Sequence, residues 1–334
     1  MIVLPHPDGD VAIAREGARA SVTARVRPGL FAPVTRFSTA YPDALLAAVL
    51  AYKGPAYLGD EVLRDESPAY VRRSLESGIL PFVRAADVAG GRILDFGCGS
   101  GASTCILARM FPVARIVGVE LDAGAVDVAR ARLAHYELGD RVSVEQSPSP
   151  TALPRDLGVF DYISFSAVYE HLLPEERAPV LAQIWSRLKP GGILFINQLP
   201  NRDCFFEYHT TLGFPLINYL PDGMTHAIVA RLSRRKRGKS WTELLRAGIR
   251  GGTPREIVAH LDAAGEGSAR LLEPRYGPEN EIELWYQSTP PPKSRARRVI
   301  KDTLRRAAYA AGPLRRFVIP EVIVAIRKEP AGAA

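Results

Sequence analysis

The sequence has little of what stabilises disulfide-rich or metal-bound domains. Only three of its 334 residues are cysteine, and Cys98, Cys105 and Cys204 are not spaced like metal ligands. We therefore predict reduced thiols, no metal site and a cytoplasmic protein. There is also no apolar run of membrane-spanning length and no apolar N-terminal segment typical of a signal peptide. A contact with a membrane would therefore be peripheral.

What the chain does contain is an ordinary globular composition with an excess of basic charge. Hydrophobic residues make up 47% and charged residues 24% of the chain, and the formal net charge is +7. This composition is sufficient for one large domain with additional segments. A basic balance is compatible with a membrane surface, a phosphorylated substrate or a nucleic acid as partner, and it leaves the oligomeric state open.

The most informative stretch is RILDFGCGSG at 92–101. A short apolar run is followed by three glycines at alternate positions, and 102–110 then carries apolar residues at helical spacing. This pattern predicts a buried strand, a glycine turn and a helix. Such a turn lets backbone amides approach a ligand, because glycine has no Cβ. Asp95 lies at the carboxyl end of the strand, where open α/β sheets bind ligands.

A second apolar run, at 116–119, ends in Glu120. An acid about twenty residues after a glycine turn is typical of a residue that binds two ribose hydroxyls, so the pair predicts a nucleoside cofactor. Gly97, Gly99 and Ala102 also match the dinucleotide pattern, and an NAD(P)-dependent oxidoreductase therefore remains an alternative. Asp95 argues against it, because a carboxylate there would repel a pyrophosphate and suits a ligand with an ammonium group.

At this point the chain resembles the class I S-adenosylmethionine-dependent methyltransferases, of the type that acts on small molecules such as sugars. The resemblance rests on the D-x-G-x-G-x-G turn at 95–101, on Glu120, on the EHL stretch at 170–172 and on LKPGG at 188–192. It implies S-adenosyl-L-methionine as cofactor and a doubly wound, seven-stranded, mostly parallel α/β sheet. The last strand of this family, here about 320–327, is expected to be antiparallel and at the edge.

The resemblance also implies cofactor contacts. Asp95 would hold the amino-acid part, the backbone at the glycines would lie against it, and Glu120 would bind the ribose. The loop after the third strand lacks the acid that the family usually places near adenine, so Gln146 or a neighbouring serine would accept that hydrogen bond. The full set of predicted cofactor residues is Asp95, Gly97, Gly99, Gly101, Glu120, Leu121, Gln146, Ser147 and Ser166.

The pattern along the chain divides it into five parts. We predict an N-terminal extension or lid at 1–88, beginning with a hairpin, and a cofactor-binding core at 89–199. A substrate-pocket insertion at 200–252 breaks the alternation of strand and helix. The sheet is completed by 253–329, which includes a basic helix at about 294–312, and 330–334 is a tail.

Methyl transfer to oxygen or nitrogen often needs a base, and imidazole suits that role at neutral pH. We predict His171 and His209 as candidates for the base, while structural roles for both, or catalysis by proximity alone, remain open. The acceptor would contact Tyr169, Asn197, Glu207, Tyr208 and His226. The predicted reaction is O-methylation of a small polar acceptor, such as a sugar or a glycan precursor that may bear phosphate.

Two basic runs, 231–239 and 295–306, have no assigned role. The second lies on a predicted helix whose other face is apolar, which is compatible with an anionic membrane, a phosphorylated substrate or simply a solvated surface. Aromatic residues do not alternate with the basic ones, which disfavours nucleic acid. A non-catalytic, methyltransferase-like binding module at a membrane surface is therefore a second alternative.

Overall fold

The computed structural model describes residues 1–211, 213–233, 236–290, 292 and 294–330, with the side chain of Tyr70 excluded. Arg234 and Arg235 of the first basic run lie outside the described residues, as does all of the predicted tail except its first residue. The strands are β1 (Ile2–His6), β2 (Gly9–Glu16), β3 (Arg19–Val26), β4 (Arg36–Thr39), β5 (Arg92–Phe96), β6 (Arg115–Glu120), β7 (Val142–Gln146), β8 (Phe160–Ser166), β9 (Leu188–Pro200), β10 (Phe206–Glu207), β11 (Phe214–Pro215), β12 (Ala269–Leu272) and β13 (Glu321–Lys328).

Helices connect most of these strands. They are α1 (Asp43–Glu66), α2 (Arg73–Ile79), α3 (Ala85–Val88), α4 (Ala102–Met110), α5 (Ala123–His135), α6 (Pro174–Ser186), α7 (Asp222–Leu232), α8 (Trp241–Arg246), α9 (Pro254–Ala263), α10 (Glu281–Ser288) and α11 (Arg295–Ala310). Short 3-10 turns occur at Tyr169–His171, Ile217–Tyr219 and Gly312–Phe317, and a π-helical turn at Pro68–Arg72. Within the described ranges, no helix combines the length and the apolar character needed to cross a bilayer.

The central sheet has seven strands in the order β12-β13-β9-β8-β5-β6-β7. The strands β9, β8, β5, β6 and β7 pair in parallel. Helices cover both faces: one core packs α2, α4 and α5 against the sheet, and another packs α6 and α9. The predicted fold class is confirmed. Because parallel strands end at the same edge, the residues after β5, β6 and β8 meet there.

The last strand differs from its predicted position. β13 is antiparallel, as expected, but it pairs with β9 on one side and with β12 on the other. The edge strand is therefore β12, and the prediction of β13 at the edge was wrong. The reason is that β13 carries buried residues on both faces, such as Val322 and Ile323, which an inner position shields from water.

The first forty residues form more than the predicted hairpin. β1 to β4 make a four-stranded antiparallel sheet, whose alternate residues Val11, Ile13 and Val22 are buried against α1. After this sheet, α1 runs to Glu66 through a kink at Gly54, where φ is +70°. This segment packs on α5 and α4, which places α1 beside the glycine turn.

The segment at 200–252 has a small core of its own. The two-stranded β10–β11 ribbon and the helices α7 and α8 enclose the buried side chains Ile217, Val229, Leu244, Leu245 and Ile249. Arg250 is also buried, and it donates hydrogen bonds to the backbone carbonyls of Ile217, Asn218 and Leu220. This segment is therefore ordered by packing and not only by its attachment to the sheet.

Candidate functional site

The glycine turn joins β5 to α4. The φ angles of Gly97, Gly99 and Gly101 are +71°, +54° and +83°, values that favour glycine. A Cβ at Gly97 would lie 2.6 Å from Val168 Cγ2, and one at Gly101 would lie 2.7 Å from Ala129 Cβ, whereas one at Gly99 would meet no atom within 4 Å. Two of the glycines thus permit close packing of the protein itself. Gly99 lines open space into which a bound group fits.

Glu120 ends β6 and closes the turn from the other side. Its Oε2 accepts a hydrogen bond from the Gly99 amide at 2.9 Å, and its Oε1 accepts from the amides of Leu121 at 2.8 Å and Asp122 at 3.1 Å. A carboxylate has about four acceptor positions, so one remains for a ligand hydroxyl. The turn and the acid that the sequence predicted as partners are therefore in direct contact.

Asp95 lies beneath the turn and not in the open. It is 2% exposed, and its Oδ2 accepts from the hydroxyls of Ser103 and Thr104, both at 2.7 Å. Burial raises the pKa of Asp95 to about 6, while the two hydroxyls oppose the increase. The carboxylate therefore anchors the first turn of α4 to the end of β5. Its predicted contact with an ammonium group stays a prediction.

The other predicted cofactor residues lie at the same edge of the sheet. Gln146 Nε2 donates to the Leu121 backbone carbonyl at 3.3 Å, and none of the described residues donates to the side-chain amide oxygen of Gln146, Oε1. Leu121 is exposed, and Ser147 is buried, with its amide bonded to the Glu120 carbonyl at 2.8 Å. Ser166 ends β8 beside Asn197 of β9. The acceptor oxygen of Gln146 is thus available where the adenine was predicted.

A buried charge network ties α1 to the turn. The Arg132 side chain is completely buried on α5, and it donates to Ser100 Oγ at 2.7 Å and to Glu61 Oε1 at 3.1 Å. Its Nε donates to Tyr41 Oη at 2.6 Å and lies 3.4 Å from Asp65 Oδ1. Ser100 also donates to Glu61. The sequence suggested no such role for Arg132, because one arginine on an amphipathic helix carries no signal of burial.

The two candidate bases come together although they lie 38 residues apart in the sequence. The ring centroids of His171 and His209 are 6.0 Å apart. Gly248, at φ +87°, passes so close that a Cβ there would lie 2.8 Å from His209 Nδ1 and 3.1 Å from Glu170 Cγ. Burial in the protein lowers the pKa of His209, and the charge interaction with the nearby His171 lowers it further. Glu170 thus belongs to the same cluster.

Within this cluster, His171 has a defined orientation. Its Nδ1 lies 2.7 Å from the Arg246 carbonyl oxygen, an arrangement in which Nδ1 must carry the proton and donate. Its Nε2 lies 3.7 Å from Glu170 Oε1, and 44% of the side chain is exposed. Glu170 is 1% exposed, and both its oxygens lack a hydrogen-bond partner among the residues that the structure describes. Burial raises the pKa of Glu170 to about 8.

Two predicted substrate residues are in the core instead. Tyr169 is completely buried, and the Arg177 guanidinium lies over its ring at 4.6 Å. Asn197 is 3% exposed, because α2 covers it: its Nδ2 donates to the Ser74 carbonyl at 2.9 Å. A Cβ on Gly78 of α2 would lie 2.2 Å from that Nδ2. Neither residue faces an open pocket in this structure, and their contact with the acceptor stays a prediction.

The predicted substrate residues of the insertion have different roles. Glu207 is buried, and its carboxylate accepts from the amides of Thr210 at 2.7 Å and Thr211 at 2.5 Å, so it organises a turn. His226 Nε2 lies 2.8 Å from the Lys239 carbonyl oxygen, which connects α7 to the start of α8. Tyr208 is 65% exposed and remains accessible to a ligand.

The comparisons with known proteins agree on the core. Residues 93–192 match the family model of a methyltransferase domain. An uncharacterized protein from Synechococcus is 35% identical over 48% of this chain, trans-aconitate 2-methyltransferase from Paracidovorax citrulli 30% over 42%, and a ubiquinone biosynthesis O-methyltransferase from Aromatoleum aromaticum 26% over 60%. The matched segments span 38%, 52% and 74% of these relatives, respectively.

Among solved structures, an O-methyltransferase family protein from Burkholderia thailandensis matches 67% of this chain and 58% of its own, with 14% identity and a TM-score of 0.42. The family model, by contrast, matches the region that holds the glycine turn, Glu120 and the EHL stretch. The enzyme class predicted from those motifs is confirmed for this region: residues 93–192 of the chain are a methyltransferase domain.

Proposed function

We propose that the chain is an S-adenosylmethionine-dependent methyltransferase that methylates an oxygen of a small polar acceptor, such as a sugar or a glycan precursor. The observation that carries the proposal is the contact between the Gly99 amide and Glu120, within a region that matches the methyltransferase domain model. The names of two relatives point the same way, since one is a ubiquinone biosynthesis O-methyltransferase and another a trans-aconitate 2-methyltransferase.

The residues at the turn fit the cofactor. Gly99 lines open space, the remaining acceptor position of Glu120 suits a ribose hydroxyl, and the carbonyl oxygen of Gln146 suits the amino group of adenine. The exposed Leu121 side chain supplies an apolar surface between them. The bound cofactor supplies a methyl group on a sulfonium, which is already activated, so the protein mainly has to align the acceptor.

His171 is the better candidate for the base. Because its Nδ1 donates to the Arg246 carbonyl, the neutral ring carries its lone pair on Nε2. An acceptor hydroxyl would lose its proton to that nitrogen as its oxygen forms the bond to the methyl carbon. The positive ring would keep its hydrogen bond to the Arg246 carbonyl and, since the His171 side chain is 44% exposed, would pass the proton on to solvent. His209, whose lowered pKa keeps its ring neutral, would help to position the acceptor.

Calorimetry with S-adenosylhomocysteine and NAD in parallel tests the cofactor. We expect micromolar binding of S-adenosylhomocysteine and none of NAD. Binding of NAD alone would favour the oxidoreductase, and binding of neither would favour the non-catalytic module. Glu120→Ala should weaken the binding by about one hundredfold, since the one acceptor position left on Glu120 serves one hydrogen bond to the ligand and a hydrogen bond to a charged group contributes about 1.5–3 kcal/mol.

The base is tested separately, with an acceptor panel of sugars, phosphosugars, phenols and carboxylic acids. For an accepted compound, His171→Gln should lower kcat by about a hundredfold or more with unchanged S-adenosylhomocysteine affinity. His260→Gln, on α9, is a matched control. Unchanged turnover in both His171→Gln and His209→Gln would rule out the base and leave catalysis by alignment alone.

A further inference from the structure

Helix α11 packs against the protein with only one side. Its inward residues are spaced by three and four positions: Lys301, Leu304, Arg305 and Ala308. Lys301 Nζ donates to the carbonyls of Tyr286 at 2.7 Å and Thr289 at 2.8 Å, and Ala308 is buried in the core that includes α10. These contacts fix which side of α11 faces α10.

The opposite side of α11 is uncharged and faces outward. Its residues follow one another at helical spacing and all are exposed, including the large side chains Val299 (56%) and Ile300 (58%): Ala296, Val299, Ile300, Thr303, Ala307 and Ala310. At 1.5 Å per residue this stripe is about 20 Å long. The sequence predicted a single apolar face that included Leu304 and Ala308. Only Leu304 and Ala308 pack inward, because the apolar residues cover a wider part of the helix circumference than the contact with α10.

Arginines flank this outer stripe on one side. A rotation of about 100° per residue places Arg295 and Arg306 along that flank, whereas Arg297, four residues before Lys301, falls on the inward side. Arg295 and Arg306 are exposed, and neither has a salt-bridge partner among the residues that the structure describes. By contrast, the inward Arg305 pairs with Glu283, its Nε lying 2.7 Å from Oε1. The outer side is therefore apolar along its centre and basic along one margin.

We propose that this side of α11 docks on the surface of a bilayer that contains anionic lipids. A helix lying in the plane of the interface buries an apolar stripe at the boundary of headgroups and acyl chains, while the arginines on its flank reach lipid phosphates. The net charge of +7 favours the same encounter. This docking goes beyond the proposed function and does not depend on it.

Docking would also orient the rest of the protein. The 3-10 turn that follows α11 is tied to the segment after β9: Asn201 Nδ2 donates to the carbonyls of Arg316 and Ile319, both at 2.8 Å, and the Phe205 amide donates to the Phe317 carbonyl at 2.8 Å. That segment leaves the sheet at the edge where β8 and β9 end. The carboxyl edge of the sheet would therefore stay close to the lipid.

Co-sedimentation of the full chain with vesicles tests the proposal. We expect binding to phosphatidylcholine vesicles with roughly one third phosphatidylglycerol, little binding to phosphatidylcholine alone, and marked weakening between about 0.1 M and 0.5 M salt. The double variant Val299→Glu with Ile300→Glu should lower the partition by about tenfold or more. Arg295→Gln with Arg306→Gln should remove the preference for phosphatidylglycerol.

Val113→Glu with Arg115→Gln is the matched control, since both residues are exposed at the opposite edge of the sheet and should not affect partition. Circular dichroism and S-adenosylhomocysteine affinity should be unchanged in every variant, which separates loss of docking from misfolding and from failure of the proposed function. No co-sedimentation of the wild type at low salt would overturn the proposal. So would an equal effect of the control, or a change in self-association alone, which would make the stripe an interface between copies.

Discussion

The backbone amide of Gly99 donates a hydrogen bond of 2.9 Å to Oε2 of Glu120, and this bond joins the turn after one strand to the acid at the end of its neighbour. A bound nucleoside would thus meet both groups as one unit. The same carboxylate also accepts the amides of Leu121 and Asp122, so its position is set before a ligand arrives. Preorganisation of this kind lowers the entropic cost of binding.

Glu120→Ala therefore has two consequences. We expect S-adenosylhomocysteine affinity to fall by about one hundredfold, because the charge-assisted hydrogen bond to the ligand is lost and the turn loses its acceptor. Isothermal calorimetry measures the change. Glu16→Ala, which removes an exposed carboxylate from the N-terminal sheet, should leave the affinity unchanged. An affinity within twofold of wild type in Glu120→Ala would place the ribose elsewhere.

The glycines of the turn should respond differently to a methyl group. Gly101→Ala should destabilise the fold by about 2–4 kcal/mol, since φ is +83° and the new Cβ would lie 2.7 Å from Ala129 Cβ. Gly99→Ala should cost only about 1–2 kcal/mol, for backbone strain, yet should weaken cofactor binding severely, since its Cβ enters the open space. Urea unfolding and calorimetry on both variants separate the effects. Equal binding in Gly99→Ala and wild type would contradict this view.

Arg132 should be essential for stability. Arg132→Ala leaves Glu61 and Asp65 buried without their cation, which we expect to cost about 3–5 kcal/mol in the free energy of unfolding. Arg84→Ala breaks an exposed, solvent-screened pair with Asp87 and should leave the free energy of unfolding nearly unchanged. Burial opposes ionisation of Glu61, but Arg132 and Ser100 lower its pKa overall. Ionised Glu61 therefore stabilises the wild type at pH values above the pKa that Glu61 has in the unfolded chain, and this stabilisation is lost at acid pH. It should be largely absent from Arg132→Ala.

Glu170 affects the pH dependence of stability in the opposite direction. Burial raises its pKa to about 8, so the unfolded chain ionises at a lower pH than the folded one. Stability is therefore fully present below the unfolded value of about 4.3 and falls as the pH rises toward 8. Glu170→Gln should flatten the decline of unfolding free energy between about pH 5 and pH 8, which denaturant titrations at several pH values would measure. An identical pH dependence in both proteins would show that the carboxyl is ionised in the folded state.

The core of the fold could be predicted because its signals are local. The apolar runs, the glycine turn and the caps each lie within a few residues of the element that they define; Thr253 Oγ1, for example, accepts from the Glu256 amide at 3.1 Å and begins α9 as expected. The contact of Glu120 with the turn follows from the parallel order of two consecutive strands. Such features need no knowledge of distant residues.

Other features depend on contacts between distant segments. Arg132 bonds to Tyr41 and Glu61, which lie 91 and 71 residues away, and nothing near Arg132 distinguishes it from Arg130, the other arginine of α5. Asn197 lies near the carboxyl end of β9, at the expected edge, but α2 covers it from more than one hundred residues earlier in the chain. The meeting of His171 and His209 likewise depends on how 200–252 folds back, which no local pattern reveals.

The place of β13 has a consequence for synthesis on the ribosome. β12 pairs only with β13, and β13 fills the gap between β12 and β9. Residues 269–272 therefore have no place in the sheet until residue 328 has left the exit tunnel, and until then β9 presents an unpaired edge. A nascent chain would hold a nearly complete cofactor site next to an open strand, and the interval before β13 arrives is when aggregation is most to be expected.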